Sequence, residues 1–387
     1  MLKHILLGCT FLLLSLSISA QTTELVGGSS FEFAMPILIV SPDARAAGMG
    51  DMGVATFPSI SAQNWNAAKY IFMEPSAGLS FSYVPWLRNI GPTNINLLYL
   101  TGYYKFAKNQ SIGASFRYFS LGDISFMTQT GDYVQTSNPN EFAVDVSYAL
   151  QLGESFSASV AFRYLRSDLT GGFSDPQSVS ISPANGFSGD IGFYYQQIPN
   201  SRSGFTAGFG VSNIGTKMNY DYSSADVNYF LPNTMRLGGG YGLDIDHNNN
   251  VSFNIELSKF LVPTRPDLSG MTDDEKQAAN EAHNNTSSIS GMFKSFSDAP
   301  GGFKEELREI MLGLGVEYTY ADFFNGRTGF FYDHKNVNHR YFTVGAGFRY
   351  QSFKVDLSYL IPVTSGFQNP LANTIHLTLS VNLDRAQ

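Results

Sequence analysis

Near the C-terminus, the stretch "IHLTLSVNL" puts His376 and Ser380 on one face of an alternating segment, and "FKVDLSYLI" puts Asp356 on the matching face of its neighbour. Ser, His and Asp are the residue types of a hydrolase triad, in which the imidazole takes the hydroxyl proton and the carboxylate orients the imidazole. A triad also needs an oxyanion hole and one specific geometry, and no motif here supplies either. Serine at even spacing from histidine arises on any alternating strand, so alternation accounts for the pattern without catalysis. His334 and His339, in "HKNVNH", bring two imidazoles into one short loop with no third ligand, which reads as a surface turn and not a metal centre. The three glycines at 238–240 lie inside a strand pattern, where glycine marks a bend or close packing and not a phosphate cradle. Nothing in these residues calls for a cofactor.

The elements that would position such groups are read from the rest of the chain. Lys3 and His4 precede an apolar run over residues 5–16, and Ser17, Ser19 and Ala20 follow, which reads as a secretory signal peptide over 1–20 cleaved after Ala20. Cys9, the one cysteine, lies within that run, so the mature chain has no disulfide, thiol chemistry or Cys-ligated metal. A formal charge of −8 gives no basic patch for nucleic acid. Charged residues are 14% of the chain against an average of roughly 25%, yet no later apolar run reaches transmembrane-helix length. An exported chain with that balance suits an outer-membrane β-barrel, where alternating apolar and polar residues average out.

Alternation over nine or ten residues recurs, most clearly in "FSASVAFRYL" and "FAVDVSYALQL". Fourteen such segments start near Gly78, Ile95, Gln110, Glu141, Ser155, Phe187, Ser203, Asn233, Asn250, Ile310, Arg327, Arg340, Phe353 and Asn373. Short links ("AKNQ", "GE", "DHNNN", "NGR", "QS") alternate with longer ones, which predicts a 14-stranded antiparallel barrel over 78–387 with periplasmic turns and outer loops. Alternation also predicts inward charges at Arg117, Asp145, Arg163, Asp190, Glu256, Glu317, Arg349 and Asp356. They read as a mixed-sign network lining a plugged lumen, or alternatively as a polar path for a ligand. The longest loop, 263–309, carries a capping box at Thr272 and Glu275 that opens a helix. It reads as a solvated surface, with Phe293 and Phe296 leaving room for a partner, since loops of this length without a role are uncommon.

Residues 21–77 do not alternate. In "SPDARAAGMGDMGVAT", Ser41 predicts an N-cap, Pro42 the first helical position and Gly48 a left-handed cap. A second short helix is predicted over 62–72, after Ser61. Small residues let backbone pack closely, so this segment is expected to plug the barrel and seal its lumen from the periplasmic side.

"ARAAGMGDMGVAT" followed by "SAQNWNAAKYIF" resembles the N-terminal hatch of the FadL family of fourteen-stranded outer-membrane barrels. The resemblance assigns the hatch to Arg45, Gly48, Met49, Gly50, Trp65 and Asn66. Ala67 stands where that family has Pro, which removes a rigid turn. With "SYVPWLRN", "GYYKF", "SFRYFSLGDISF" and "FRYLRSDLT", the chain more specifically resembles the PorV-type barrels of the type IX secretion system. That resemblance implies a carrier, not an enzyme, in the outer membrane and its lipid. Such a carrier takes the C-terminal signal domains of cargo at the type IX translocon and delivers them to a surface sortase. The alternatives implied are a FadL-like transporter of hydrophobic small molecules, or a lipid A deacylation factor.

Overall fold

The computed structural model describes residues 33–86, 94–127, 133–171, 182–199, 201–222, 225–266, 268–299, 301–334, 340–363 and 374–383. The signal peptide over 1–20, the first residues of the extension and His339 lie outside them.

Fourteen antiparallel strands close into one barrel. In chain order they are β1 (Ala77–Pro85), β2 (Ile95–Ala107), β3 (Gln110–Leu121), β6 (Asn140–Gly153), β7 (Phe156–Asp168), β8 (Ala184–Gln196) and β9 (Gly204–Gly215). Then follow β12 (Thr234–Asp246), β13 (Asn249–Phe260), β14 (Met311–Tyr320), β15 (Phe324–Tyr332), β16 (Tyr341–Tyr350), β17 (Phe353–Pro362) and β18 (Ile375–Asn382). Two hairpins, β4–β5 (Ile124–Met127, Tyr133–Ser137) and β10–β11 (Met218–Tyr222, Ala225–Tyr229), stand in long connections. The barrel closes where β1 pairs with β18, with Ser80 opposite Ser380 and Ser82 opposite Thr378.

Period-2 alternation sorts the side chains as a bilayer requires. Along β6, Val144, Val146 and Tyr148 are exposed on the outside while Ala143, Asp145, Ser147 and Ala149 are buried inside. No helix is long and apolar enough to cross a membrane among the described residues, so the strands do the crossing.

One expected turn is displaced. "NGR" lies within β15, and the chain reverses at Ala321 and Asp322, both at positive φ (48° and 55°). The Asn-Gly signal loses because Asn325 and Arg327 point into the lumen: Asn325 Nδ2 donates to Thr319 Oγ1, and Arg327 meets Glu317.

The segment before β1 fills the lumen over its whole height. Residues 33–40, with a 3-10 turn at Pro36–Ile39, lie at the long-loop end, packed on Val84, Leu97, Phe119 and Leu165. The helix α1 (Ala44–Ala47) and residues 48–54 follow mid-lumen, and residues 57–75 reach the short-turn end. Apolar clusters pack the segment against the wall at both ends, at the short-turn end through Ile60, Tyr70 and Met73 on Tyr103 and through Ile71 and Phe72 on Ala149 and Tyr194. Beside those clusters the short-turn end also holds an open cavity of about 830 Å³.

The cap of α1 is Asp43 and not Ser41: its carboxylate accepts from Ala46 N. Gly48 is right-handed (φ −72°), and Gly50 takes the left-handed conformation at φ 77°. The helix expected over 62–72 is two 3-10 turns, Ile60–Asn64 and Ala67–Phe72, broken where Asn66 caps Ala68 N. The plug runs so close to the wall that two strand positions admit no side chain. A Cβ on Gly208 would lie 2.1 Å from the Val54 carbonyl oxygen, and one on Gly329 would lie 2.2 Å from Gly50 N.

Gly329→Val is thus expected to unseat the plug, with overpacking costing about 1–3 kcal/mol, and to lower the temperature of the heat-modifiable gel shift. Gly326→Ala, which meets only the Phe324 ring at 3.6 Å, leaves that temperature unchanged. Equal shifts in both variants would remove the close-contact argument.

Candidate functional site: a plugged lumen under an outer cap

Plug and wall are joined by charge. Arg45 grips Glu317 with two nitrogens, at 3.0 and 2.9 Å, and donates to the Phe57 carbonyl at 2.7 Å. Glu317 also meets Arg327 at 2.5 Å, which continues to Asp356 at 2.6 Å and so to Lys354 at 3.3 Å. On the opposite wall, Arg163 bridges Asp145 (3.0 Å) and Asp190 (2.8 Å), and Asp145 accepts from Gln63 of the plug at 2.7 Å. Arg117 donates to the Ile37 carbonyl and to Asn64. Glu256 receives the plug's Gly53 and Val54 N–H groups, each at 2.8 Å, and lies 3.6 Å from Arg236. Of the eight inward charges read from alternation, seven belong to these contacts, and Arg349 stands apart at the short-turn mouth. Such pairs gain little net stability, but removing one partner strands a buried charge.

The hatch residues are fastened just as densely. Trp65 donates its indole N–H to Asp43 at 2.8 Å and covers Gly53, where a Cβ would meet the ring at 2.3 Å. Asn66 donates to the carbonyls of Val54 and Phe193 at 3.1 and 2.9 Å. Gly50 N donates to Thr343 Oγ1, and Met49 backbone abuts Gly315 and Gly329.

Sequence reasoning missed Lys69, because it lies in a segment with no strand periodicity to aim it. Its amine is buried, donating to the Gly53 carbonyl (2.5 Å) and Thr56 Oγ1 (3.2 Å) with no carboxylate in contact. Burial, reinforced by the Arg45 charge, pushes its pKa down to about 7.

The Ser–His–Asp arrangement is not assembled. Ser380 Oγ bonds to Ser80 Oγ, Asp356 is held by Arg327 and Lys354, and His376 faces Ser358 across the strand pair. No group of His, Cys, Asp and Glu among the described residues could hold a metal.

The loop over 263–309 folds back on the outer end as a cap. α2 (Asp273–Asn285) opens with the Thr272–Glu275 capping box, and α3 (Ser288–Lys294) follows. Lys217 donates to the Asn284 carbonyl at 2.8 Å, and a Cβ on Gly291 would lie 3.0–3.1 Å from Pro263 and Phe230. Beyond α4 (Phe303–Glu306), Lys259 ties Glu306 and Glu309 to the barrel wall. The outward face carries Ile289 and Phe293 one helical turn apart, 63% and 73% exposed, with Phe296 beside them at 48%.

Comparison with known proteins bears on this arrangement. The family described as "Type IX secretion system protein PorV" matches residues 28–267, more than half of the chain. No curated protein matches in sequence. In structure, the chain is similar to the Ralstonia pickettii toluene transporter TbuX (15% identity, 88% of this chain and 98% of that one, TM-score 0.51). It is also similar to the CymD monoaromatic hydrocarbon channel (14% identity, 90% and 99% covered, TM-score 0.53). At those identities the likeness establishes the barrel fold.

Lys69 predicts a pH dependence. Its folded pKa lies below the unfolded value of about 10.4, so the unfolded chain binds more protons between those limits. Stability therefore rises from pH 7 towards pH 10. Melting of the detergent-solubilised protein is expected to climb by about 2 °C or more over that range, and Lys69→Met to flatten the climb. A slope unchanged in Lys69→Met would assign it to another group.

Proposed function

From the premise that this chain belongs to the PorV family of type IX secretion system proteins, we propose that it is an outer-membrane carrier. It captures the C-terminal signal domains of exported cargo at the type IX translocon and hands them to the surface sortase. The observation that carries this reading is the filled lumen. A polypeptide already occupies it from the long-loop end to the short-turn mouth, fixed by Arg45–Glu317, Glu256 and the contacts at Gly208 and Gly329. Cargo is then held on the outside, and the cap offers the apolar surface: Phe293 and Phe296, with Ile289 beside them, on the loop whose first helix Thr272 and Glu275 open. In this reading the chain performs no bond-making chemistry, which belongs to the sortase.

The second reading, transport of hydrophobic small molecules, draws on the transporter folds that the barrel resembles. Against it stands the lumen's lining of paired charges, a costly environment for an apolar solute that can offer them nothing in return. A lipid A deacylation role would require Ser380 and His376 to leave their present partners.

Two experiments separate these readings. The mature chain has no cysteine, so Ala44→Cys with Thr378→Cys, whose backbone N and side chain lie 2.9 Å apart, would lock the plug on oxidation. A carrier with the lock closed is expected to secrete and anchor cargo at the unlocked level, whereas a channel would lose uptake. Ile289→Ser with Phe293→Ser is expected to preserve heat-modifiable assembly while cargo anchored at the surface falls about tenfold. Normal anchoring in that variant would exclude the cap as the docking surface.

A further inference from the structure

The open end of the barrel holds a feature that the carrier reading leaves unused. From the cavity at the short-turn mouth, a recess of about 70 Å³ runs inward between plug and wall. Arg45, Arg202, Arg349 and Lys354 line it, against Asp43, Glu317 and Asp356. Arg327 stands directly behind, bonded to both Glu317 and Asp356.

The charges of this recess do not cancel. Glu317 is shared by Arg45 and Arg327, and Asp356 by Arg327 and Lys354, so two carboxylates serve three cations. Asp43 is spent inside the plug, accepting from Trp65 and Ala46 N. Arg349 makes no side-chain hydrogen bond or ion pair to a described residue. Arg202 meets Asp322 at 3.0 Å, on a rim where that carboxylate is 65% exposed. Five cations against three carboxylates leave an excess of two, or of one when Asp322 is counted. Unmatched cations in a confined space favour a bound anion, and guanidinium groups pair with two oxygens of a carboxylate or phosphate through two parallel bonds.

We propose that this recess is an oxyanion-binding site, taking one phosphate- or carboxylate-type group presented from the periplasmic side. Arg349 and Lys354 hold the group, and the hydroxyls of Ser352 and Ser380 complete the lining. The size of the recess admits a single head group. Asp244 and Asp246 on the facing wall of the mouth turn away polyanions such as nucleic acid, so the ligand is a singly headed anion. A free phosphate and the phosphomonoester head of a lipid both satisfy that chemistry.

The test is calorimetric titration of the detergent-solubilised full chain with inorganic phosphate. Saturable binding near one per chain is expected. Arg349→Gln with Lys354→Gln is expected to weaken it at least tenfold at unchanged heat-modifiable assembly, and Arg349→Lys to retain most of it. If the double variant fails to assemble, Arg349→Gln alone serves, since that side chain supports no described contact. Repeating the titration in nanodiscs doped with phosphatidic acid distinguishes the sources. Loss of phosphate binding there assigns the site to a lipid head, and unchanged binding assigns it to a soluble anion. Absence of saturable binding in the unmodified chain, or equal binding in the variants, overturns the proposal.

Discussion

A fourteen-stranded barrel encloses more space than its inward side chains can fill, and that constraint governs the rest of the molecule. Eight strands would pack their own interior, and a still wider barrel would hold water. Here the chain supplies its own filling. Once a peptide backbone enters a lumen, every N–H and C=O it brings must find a partner. The wall therefore presents polar side chains such as Glu256 and Thr343, which accept from the plug's Gly53, Val54 and Gly50. Strand glycines let that backbone approach within bonding range, and the buried charges follow as partners for one another.

The same constraint explains what was legible in the sequence. Outward residues meet hydrocarbon and inward residues meet the plug, so alternation is enforced on every strand and was readable in "FAVDVSYALQL" and "FSASVAFRYL". Strand number and antiparallel closure followed from it. Turn chemistry was less reliable: Asn325-Gly326 carries a local reversal signal, but the lumen's demand for Arg327 opposite Glu317 outweighs it, and the reversal falls at Ala321 and Asp322. The plug was legible as a composition and not as a conformation. Its caps are Asp43 and Asn66, chosen by tertiary partners: Asp43 also takes the Trp65 indole, and Asn66 also holds Phe193. A local rule favouring Ser41 has no access to such partners. Lys69 was invisible for the same reason, since its carbonyl acceptor on Gly53 comes from a separate part of the plug.

The two ends of the barrel differ in what covers the plug: long loops at one and short turns at the other. Residues 33–40 pack on Leu97, Phe119 and Leu165 at the long-loop end, where α2 and α3 rest on Lys217 and Phe230. At the other end Ile60, Tyr70 and Met73 pack on Tyr103, and Ile71 and Phe72 on Ala149 and Tyr194, and beside them a recess runs inward to Arg45 and Glu317. The plug packed between the two ends leaves the protein with two separate surfaces. One end carries the exposed apolar residues Ile289 and Phe293, and the other a recess lined by Arg45, Arg202, Arg349 and Lys354. Any coupling between those surfaces would have to pass through the plug, and the Arg45–Glu317–Arg327–Asp356 chain is the rigid element that reaches from the recess to the plug's only α-helix among the described residues. Four charges bonded in series cannot yield at one point without stranding a neighbour. The lumen is thus better suited to hold its two faces in fixed relation than to conduct between them.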